Sequence, residues 1–133
     1  MASYNELLVS ARDAETLAAV VGDRRRTNRF EADAADALAD VLIDARMVPH
    51  EHLPADRVAM NSRVTYEERP GGTRRTVVLV HPTEANVAGG RVSVLSPIGR
   101  ALLGRRPGET VDAGAPMGRE LSIHILAAES RAD

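Results

Sequence analysis

Apolar residues follow two different rhythms along this chain. In the first third they recur every three or four residues, and beyond Val58 they fall at every second position. Leu17, Val20 and Val21 share one face of a predicted helix that starts at an Asp13 N-cap, carries Glu15 in its first turn and stops at Gly22. Ala34, Leu38, Val41, Leu42 and Ala45 make the stripe of a second helix, from about Glu31 to Arg46, with Asp33, Asp36, Asp40 and Asp44 opposite. A charged connector, residues 23–29, joins them, and Met47 to Pro54 reads as a linker because Pro49 and Pro54 cannot continue a helix. Residues 1–12 carry no strong pattern; Tyr4, Leu7 and Leu8 either lead into the first helix or pack loosely against it. Residues 1–54 therefore read as a short antiparallel helical hairpin and its linker. Its arms, of about 10 and 15 residues, reach only about 15–23 Å. Helices so short are marginal in isolation, so the hairpin is expected to lean on the rest of the chain or on a partner.

The period-two half, residues 55–133, reads as an antiparallel sheet carrying one helix, which makes the chain α+β. Arg63 to Glu67 and Arg74 to Val80 alternate around a Pro70-Gly71-Gly72 turn, a hairpin signature. Ala88-Gly89-Gly90 reads as a second hairpin turn, before a strand over Arg91 to Leu95. Further strands cover Glu109 to Ala113 and Leu121 to Leu126; the last puts Ser122 and His124 on one face and Leu121, Ile123 and Ile125 on the other. Between them, Ser93-Val94-Leu95-Ser96-Pro97-Ile98-Gly99-Arg100-Ala101-Leu102-Leu103-Gly104 reads as a strand end, a capped turn, a short helix and a stop. Ser96 is the predicted N-cap. Pro97 takes the first helical position, where its missing N–H costs nothing. Gly104 can turn left-handed after the helix.

Composition narrows the chemistry. With 133 residues, 44% apolar and 27% charged, the chain has enough material for one ordinary domain and a small appendage. It contains no Trp, one Phe and two Tyr, so the core is aliphatic and a base-stacking nucleic-acid platform is not expected. A net charge of −2 gives no global attraction to nucleic acid or an anionic membrane. All 17 cationic side chains are Arg, rigid forks suited to carboxylates. The absence of Cys removes disulfides, thiolate catalysis and cysteine zinc sites. No signal-peptide pattern and no apolar run of about 18 residues appears, so a cytoplasmic location without membrane contact is expected.

No catalytic constellation emerges. His50 and His52 sit two apart in the proline linker, with His81 and His124 distant, so no metal-ligand spacing exists and no cofactor is expected. Ser93, Ser96 and Ser122 lack a nucleophile-elbow context. The Gly-Gly pairs open no helix after a strand, as a phosphate loop requires.

Three blocks resemble a family. "S-V-x-S-P-I-x-x-A-L-L-G" at residues 93–104 resembles the signature of the C-terminal domain of the bacterial Gre transcript-cleavage factors. Val58-Ala59-Met60-Asn61-Ser62-Arg63-Val64 is similar to the opening strand of that domain, in a form closer to the Rnk regulators of nucleoside diphosphate kinase. Pro107-Gly108-Glu109-Thr110-Val111 fits a further strand start. The resemblance covers Val58 to Ala127; the N-terminal arm matches by length and layout alone.

The resemblance implies an FKBP-like sheet domain. It also implies docking of the Ser-Pro corner on the largest RNA polymerase subunit, at the rim of the secondary channel. Leu95, Ser96, Pro97 and Ile98 are then the docking residues, with Arg24, Arg25 and Arg26 as a secondary surface. Gre factors often carry an acid just before the Ser-Pro pair, where this chain has Leu95. They also carry two acids at the hairpin tip that help hold a catalytic magnesium ion. Here the tip reads Arg24-Arg25-Arg26-Thr27-Asn28-Arg29, with Asp23 and Glu31 flanking it. The implied function is thus a non-catalytic regulator that occupies the polymerase entrance and competes with Gre-type factors, with no small-molecule substrate. A transcript-cleavage factor and a binding module for another cytoplasmic protein are the alternatives. Prolyl isomerase activity is not expected, because Tyr66 is the one aromatic residue of the sheet half.

Overall fold

The structure, a computed structural model, describes residues 6–23, 28–113 and 121–130. Two helices form the hairpin: α1 (Ala11–Val21) and α2 (Arg29–Asp44). The predicted Asp13 cap is displaced. Ser10 is the N-cap, its Oγ accepting from Asp13 N at 3.0 Å, and Asp13 sits in the first turn. Asp13 is used elsewhere: its Oδ2 accepts from Met60 N at 3.0 Å, tying the helix to the sheet half. α2 begins two residues earlier than expected because Asn28 caps it, accepting from Glu31 N at 2.8 Å. Asp33, Asp36, Asp40 and Asp44 are exposed along α2, as the pattern requires.

The segments on either side of the hairpin are not loose. β1 (Leu8–Ser10) pairs in parallel with β2 (Arg46–Val48), so the helix predicted to run to Arg46 ends at Asp44 and the expected linker begins as a strand. Three-residue strands are too short to show a period. Arg57 closes the joint: its Nη1 donates to Glu6 O at 2.7 Å and Gly104 O at 2.9 Å. Leu8 N also donates to Gly104 O, at 3.3 Å, and Arg46 N donates to Leu7 O at 2.8 Å. Gly104 has φ +80, and a Cβ there would stand 3.2 Å from Leu8 O, so the helix stop and the seat of β1 both need glycine.

The sheet half holds β3 (Arg63–Arg69), β4 (Arg74–Val80), β5 (Arg91–Ser93), β6 (Thr110–Asp112) and β7 (Ser122–Glu129). Their order is β5-β4-β3-β7-β6. All neighbours are antiparallel except β4 and β5, which run parallel. Gly89 and Gly90 therefore do not join β4 to β5 as a hairpin; they lie in a tight turn across which Asn86 and Arg91 exchange backbone hydrogen bonds, both at 2.9 Å. Residues 81–90 carry the chain back through two short 3₁₀ turns, and Gly90 (φ +76) tightens the second before β5 enters beside β4. Period-two alternation predicts a strand but carries no direction. α3 (Pro97–Leu102) follows β5.

Both halves share one core. Leu17, Val20 and Leu38 from the hairpin join Val64, Leu79, Val94, Leu102, Ile123 and Ile125, with Leu17 and Leu38 wholly buried. Fully burying a leucine contributes about 1.5–3 kcal/mol. That is the support the short helices lack by themselves.

Candidate docking corner

The turn from β5 into α3 is built by its own side chains. Ser93 Oγ accepts from Leu95 N at 2.9 Å, and Ser93 O accepts from both Ser96 N at 3.0 Å and Ser96 Oγ at 2.7 Å. Ser96 is the N-cap of α3, its Oγ accepting from Gly99 N at 3.0 Å, with Pro97 at the first helical position, as predicted. Arg100 reaches back to donate through Nη1 to Leu95 O. Burial draws the Arg100 pKa below its ordinary value; an arginine nonetheless stays charged in a protein.

Gly99 sets how tightly the corner closes. A Cβ there would stand 2.0 Å from Ser93 O and 2.9 Å from Ser93 C. No real Cβ tolerates that distance, so any side chain would push α3 away from the end of β5.

The four predicted docking residues lie together but present themselves differently. Pro97 is exposed; Leu95, Ser96 and Ile98 are half-buried. Leu95 and Ile98 turn part of their apolar surface toward the core. The Ser96 hydroxyl is spent on two internal bonds. Pro97 is thus the member most open to a partner. Arg24, Arg25 and Arg26 lie outside the described residues.

The corner contributes to two depressions. Leu95 lines a cleft of about 500 Å³ together with Val20, Asp23, Glu31, His81 and Pro82. Asp23 and Glu31, eight residues apart in sequence, thus wall the same cleft. Pro97 lines a second groove, of about 290 Å³, between α2 and α3. Of the histidines, His81 Nδ1 lies 2.9 Å from Thr83 Oγ1 and His124 Nδ1 lies 2.7 Å from Thr110 Oγ1, while His50 and His52 are exposed in a 3₁₀ turn. Among the described residues no three His, Asp or Glu side chains gather as a metal site. Ser93, Gly99 and Arg100 complete the corner, although the sequence pattern assigns them no docking role. One signal was present: a glycine in the middle of so short a helix marks a close approach.

Comparison with known proteins gives this geometry its context. The model of the C-terminal domain of transcription elongation factors GreA/GreB matches residues 53–130, and the chain belongs to that family. It is similar to the regulator of nucleoside diphosphate kinase of Escherichia coli K12, 37% identical over 95 residues, spanning 71% of this chain and 70% of that protein. It is also similar to transcription elongation factor GreA of Syntrophomonas wolfei, 32% identical over 96 residues, though these cover 72% of this chain and 60% of that factor. A solved transcription elongation factor GreA/GreB from Nitrosomonas europaea superposes with a TM-score of 0.72 at 27% identity, over 94% of this chain and 98% of that one. Among the described residues no helix is long and apolar enough to cross a membrane.

Proposed function

We propose that this chain is a non-catalytic regulator of transcription that binds RNA polymerase near its secondary channel and competes there with Gre-type factors. The observation that carries the reading is the exposed Pro97 on a corner made rigid by its own hydrogen bonds, in a member of the GreA/GreB family. Leu95 and Ile98 flank it as apolar contacts, and Ser96 holds it in shape. The partner surface is the rim formed by the largest polymerase subunit. Arg24, Arg25 and Arg26 form a secondary surface at the hairpin tip.

Occupancy without catalysis follows from the arm. Helices of 11 and 16 residues extend roughly 16 and 24 Å. The tip between Asp23 and Glu31 is dominated by arginines, which disfavour a divalent cation. Such an arm can block an entrance but does not carry a metal to RNA deep inside. Action in the cytoplasm accords with this reading.

The test is binding of the full chain to core RNA polymerase, with a GreA competitor. Pro97→Asp is expected to weaken binding strongly while the fold survives, because an acid is tolerated in a helix's first turn. Unchanged affinity would move the docking face elsewhere. Release of RNA 3′ fragments from backtracked complexes on adding this protein would replace the occupancy reading with transcript cleavage.

A further inference from the structure

We infer that Arg57 is a positioning residue, a latch through which the base of the hairpin and the end of α3 shift together. The inference rests on the docking reading only for its use: it says what fixes the place of the helix that carries Pro97. Arg57 is 7% exposed, and among the described residues no carboxylate forms an ion pair with it. Its Nη1 instead holds two backbone carbonyls, one from each half of the chain: Glu6 O, ahead of β1, and Gly104 O, beyond α3. A buried guanidinium is costly to desolvate unless its donors are met, so both carbonyls are pinned where Arg57 meets them.

The residues after Arg57 extend the grip. Val58 N donates to Arg105 O at 2.8 Å, and Val58 O accepts from Gly104 N at 2.9 Å, so the chain just past α3 is bonded on both sides of one buried residue. Met60 N reaches Asp13 Oδ2 in the first turn of α1. Asn61 turns left-handed at φ +70 and donates through N to Leu79 O on β4 at 2.6 Å. Ser62, wholly buried, closes this turn by accepting from Ala59 N at 2.8 Å. Residues 57–62 thus hold α1, the hairpin's base, the end of α3 and the sheet at once. Gly104 O is the shared point, since Leu8 N of β1 donates to it beside Arg57. The corner keeps its shape by its own bonds, but the place of α3 relative to the arm is set at Gly104. A shift of α3 therefore loosens the β1–β2 base, and a pull on the base is felt at α3, because coupling between two sites is reciprocal.

The test is amide hydrogen exchange on the full chain, read at Arg46, whose N donates to Leu7 O at the arm's base, and at Glu68, whose N donates to Thr73 O in the distant β3–β4 turn. Arg57→Met keeps the stem and removes the donors. It is expected to speed exchange at Arg46 about tenfold, the effect of losing a hydrogen bond to a charged group. Gly99→Ala pushes α3 off Ser93 O and, with Arg57 in place, is expected to speed Arg46 as well. In the double variant Arg46 should exchange no faster than in Arg57→Met, because the push no longer reaches the base. Glu68 should keep its wild-type rate throughout. Independent, multiplying effects in the double variant overturn the inference, since a peg of merely structural value adds its loss to any other. A wild-type rate at Arg46 in Gly99→Ala, or an equal rise at Glu68, also overturns it. Should Arg57→Met fail to fold, Arg57→Lys takes its place in the same cycle, with a smaller expected gain at Arg46 of about threefold. No step uses polymerase, so the two readings fail separately. Multiplying effects remove the latch and leave docking, whereas a chain that binds no polymerase removes docking and leaves the latch.

Discussion

The hairpin and the Ser93–Arg100 corner reach order by opposite routes. The hairpin's own polar chemistry is thin: one capping side chain at each helix start, and an exposed row of aspartates along α2. Its shape is borrowed from Leu17, Val20 and Leu38, which sit in the sheet's core, and from the β1–β2 pair that closes its base. The corner also rests on the core, through Val94 and the inward sides of Leu95 and Ile98, but its turn is closed by its own polar groups. Within eight residues it satisfies its turn through Ser93, Ser96 and Arg100 and needs glycine at 99 to close. A surface held by local bonds keeps its form when the rest of the molecule breathes, whereas a surface held by shared packing is only as ordered as the core beneath it.

The largest expected effect breaks the hairpin's side of this contrast. Leu38 is wholly buried, and Leu38→Ala is expected to cost about 2–5 kcal/mol, the range for leucine truncation in a packed core. Because one core serves both halves, denaturant unfolding should remain a single transition at a lower midpoint. Two separated transitions would show that the hairpin and the sheet are independent units.

Next in size is Gly99→Ala. The added Cβ cannot remain 2.0 Å from Ser93 O, so α3 must shift and the Ser96 and Arg100 bonds must lengthen. A loss of about 1–3 kcal/mol is expected, as for other overpacked sites. Polymerase affinity should fall further than stability does, because Pro97 moves with α3. Equal affinity in this variant would mean that the corner's shape is irrelevant to docking.

How much of this was legible beforehand differs between the two regions for the same reason. Corner chemistry is local, and local chemistry is written in consecutive letters: Ser96 as cap, Pro97 after it and Gly104 at the stop all stand where the sequence placed them. The hairpin's two helices were legible from their stripes, since Leu17, Val20 and Leu38 are buried as their spacing implies. What escaped was set by partners distant in sequence. Asp13 reads as a cap until Met60 is known to donate to it. Residues 46–48 read as linker until β1 is seen beside them. The parallel entry of β5 depends on where a ten-residue excursion returns, which alternation cannot encode. Nothing in the sequence pattern marks Arg100 and Arg105 as neighbours, and only the placement of α2 beside α3 makes them walls of a groove.

A smaller effect sharpens the contrast between the two capping serines. Ser10 accepts one hydrogen bond, from Asp13 N, while Ser96 accepts one and donates another to Ser93 O. Ser10→Ala should cost about 1 kcal/mol, the usual loss of a cap. Ser96→Ala should cost more, by roughly the 0.5–1.5 kcal/mol of an additional net hydrogen bond. Chemical denaturation of the two variants under one condition measures the difference. Equal losses would mean that the Ser93–Ser96 bond adds nothing to the corner.

The smallest expected stability effect comes from Phe30, in the first turn of α2 and 90% exposed. A phenyl ring so open packs against little, so Phe30→Ser should change stability by no more than about 0.5 kcal/mol, the range for surface positions. Its value lies in what it does to binding. Phe30 stands next to the hairpin tip, while Pro97 stands on the corner, and the two report on different contacts. If the corner alone holds the polymerase, Phe30→Ser binds as the wild type does and Pro97→Asp does not. If affinity drops in Phe30→Ser with the melting temperature unchanged, the arm touches the partner as well. The order that the hairpin borrows from the core would then serve to aim its tip, not merely to shield the sheet.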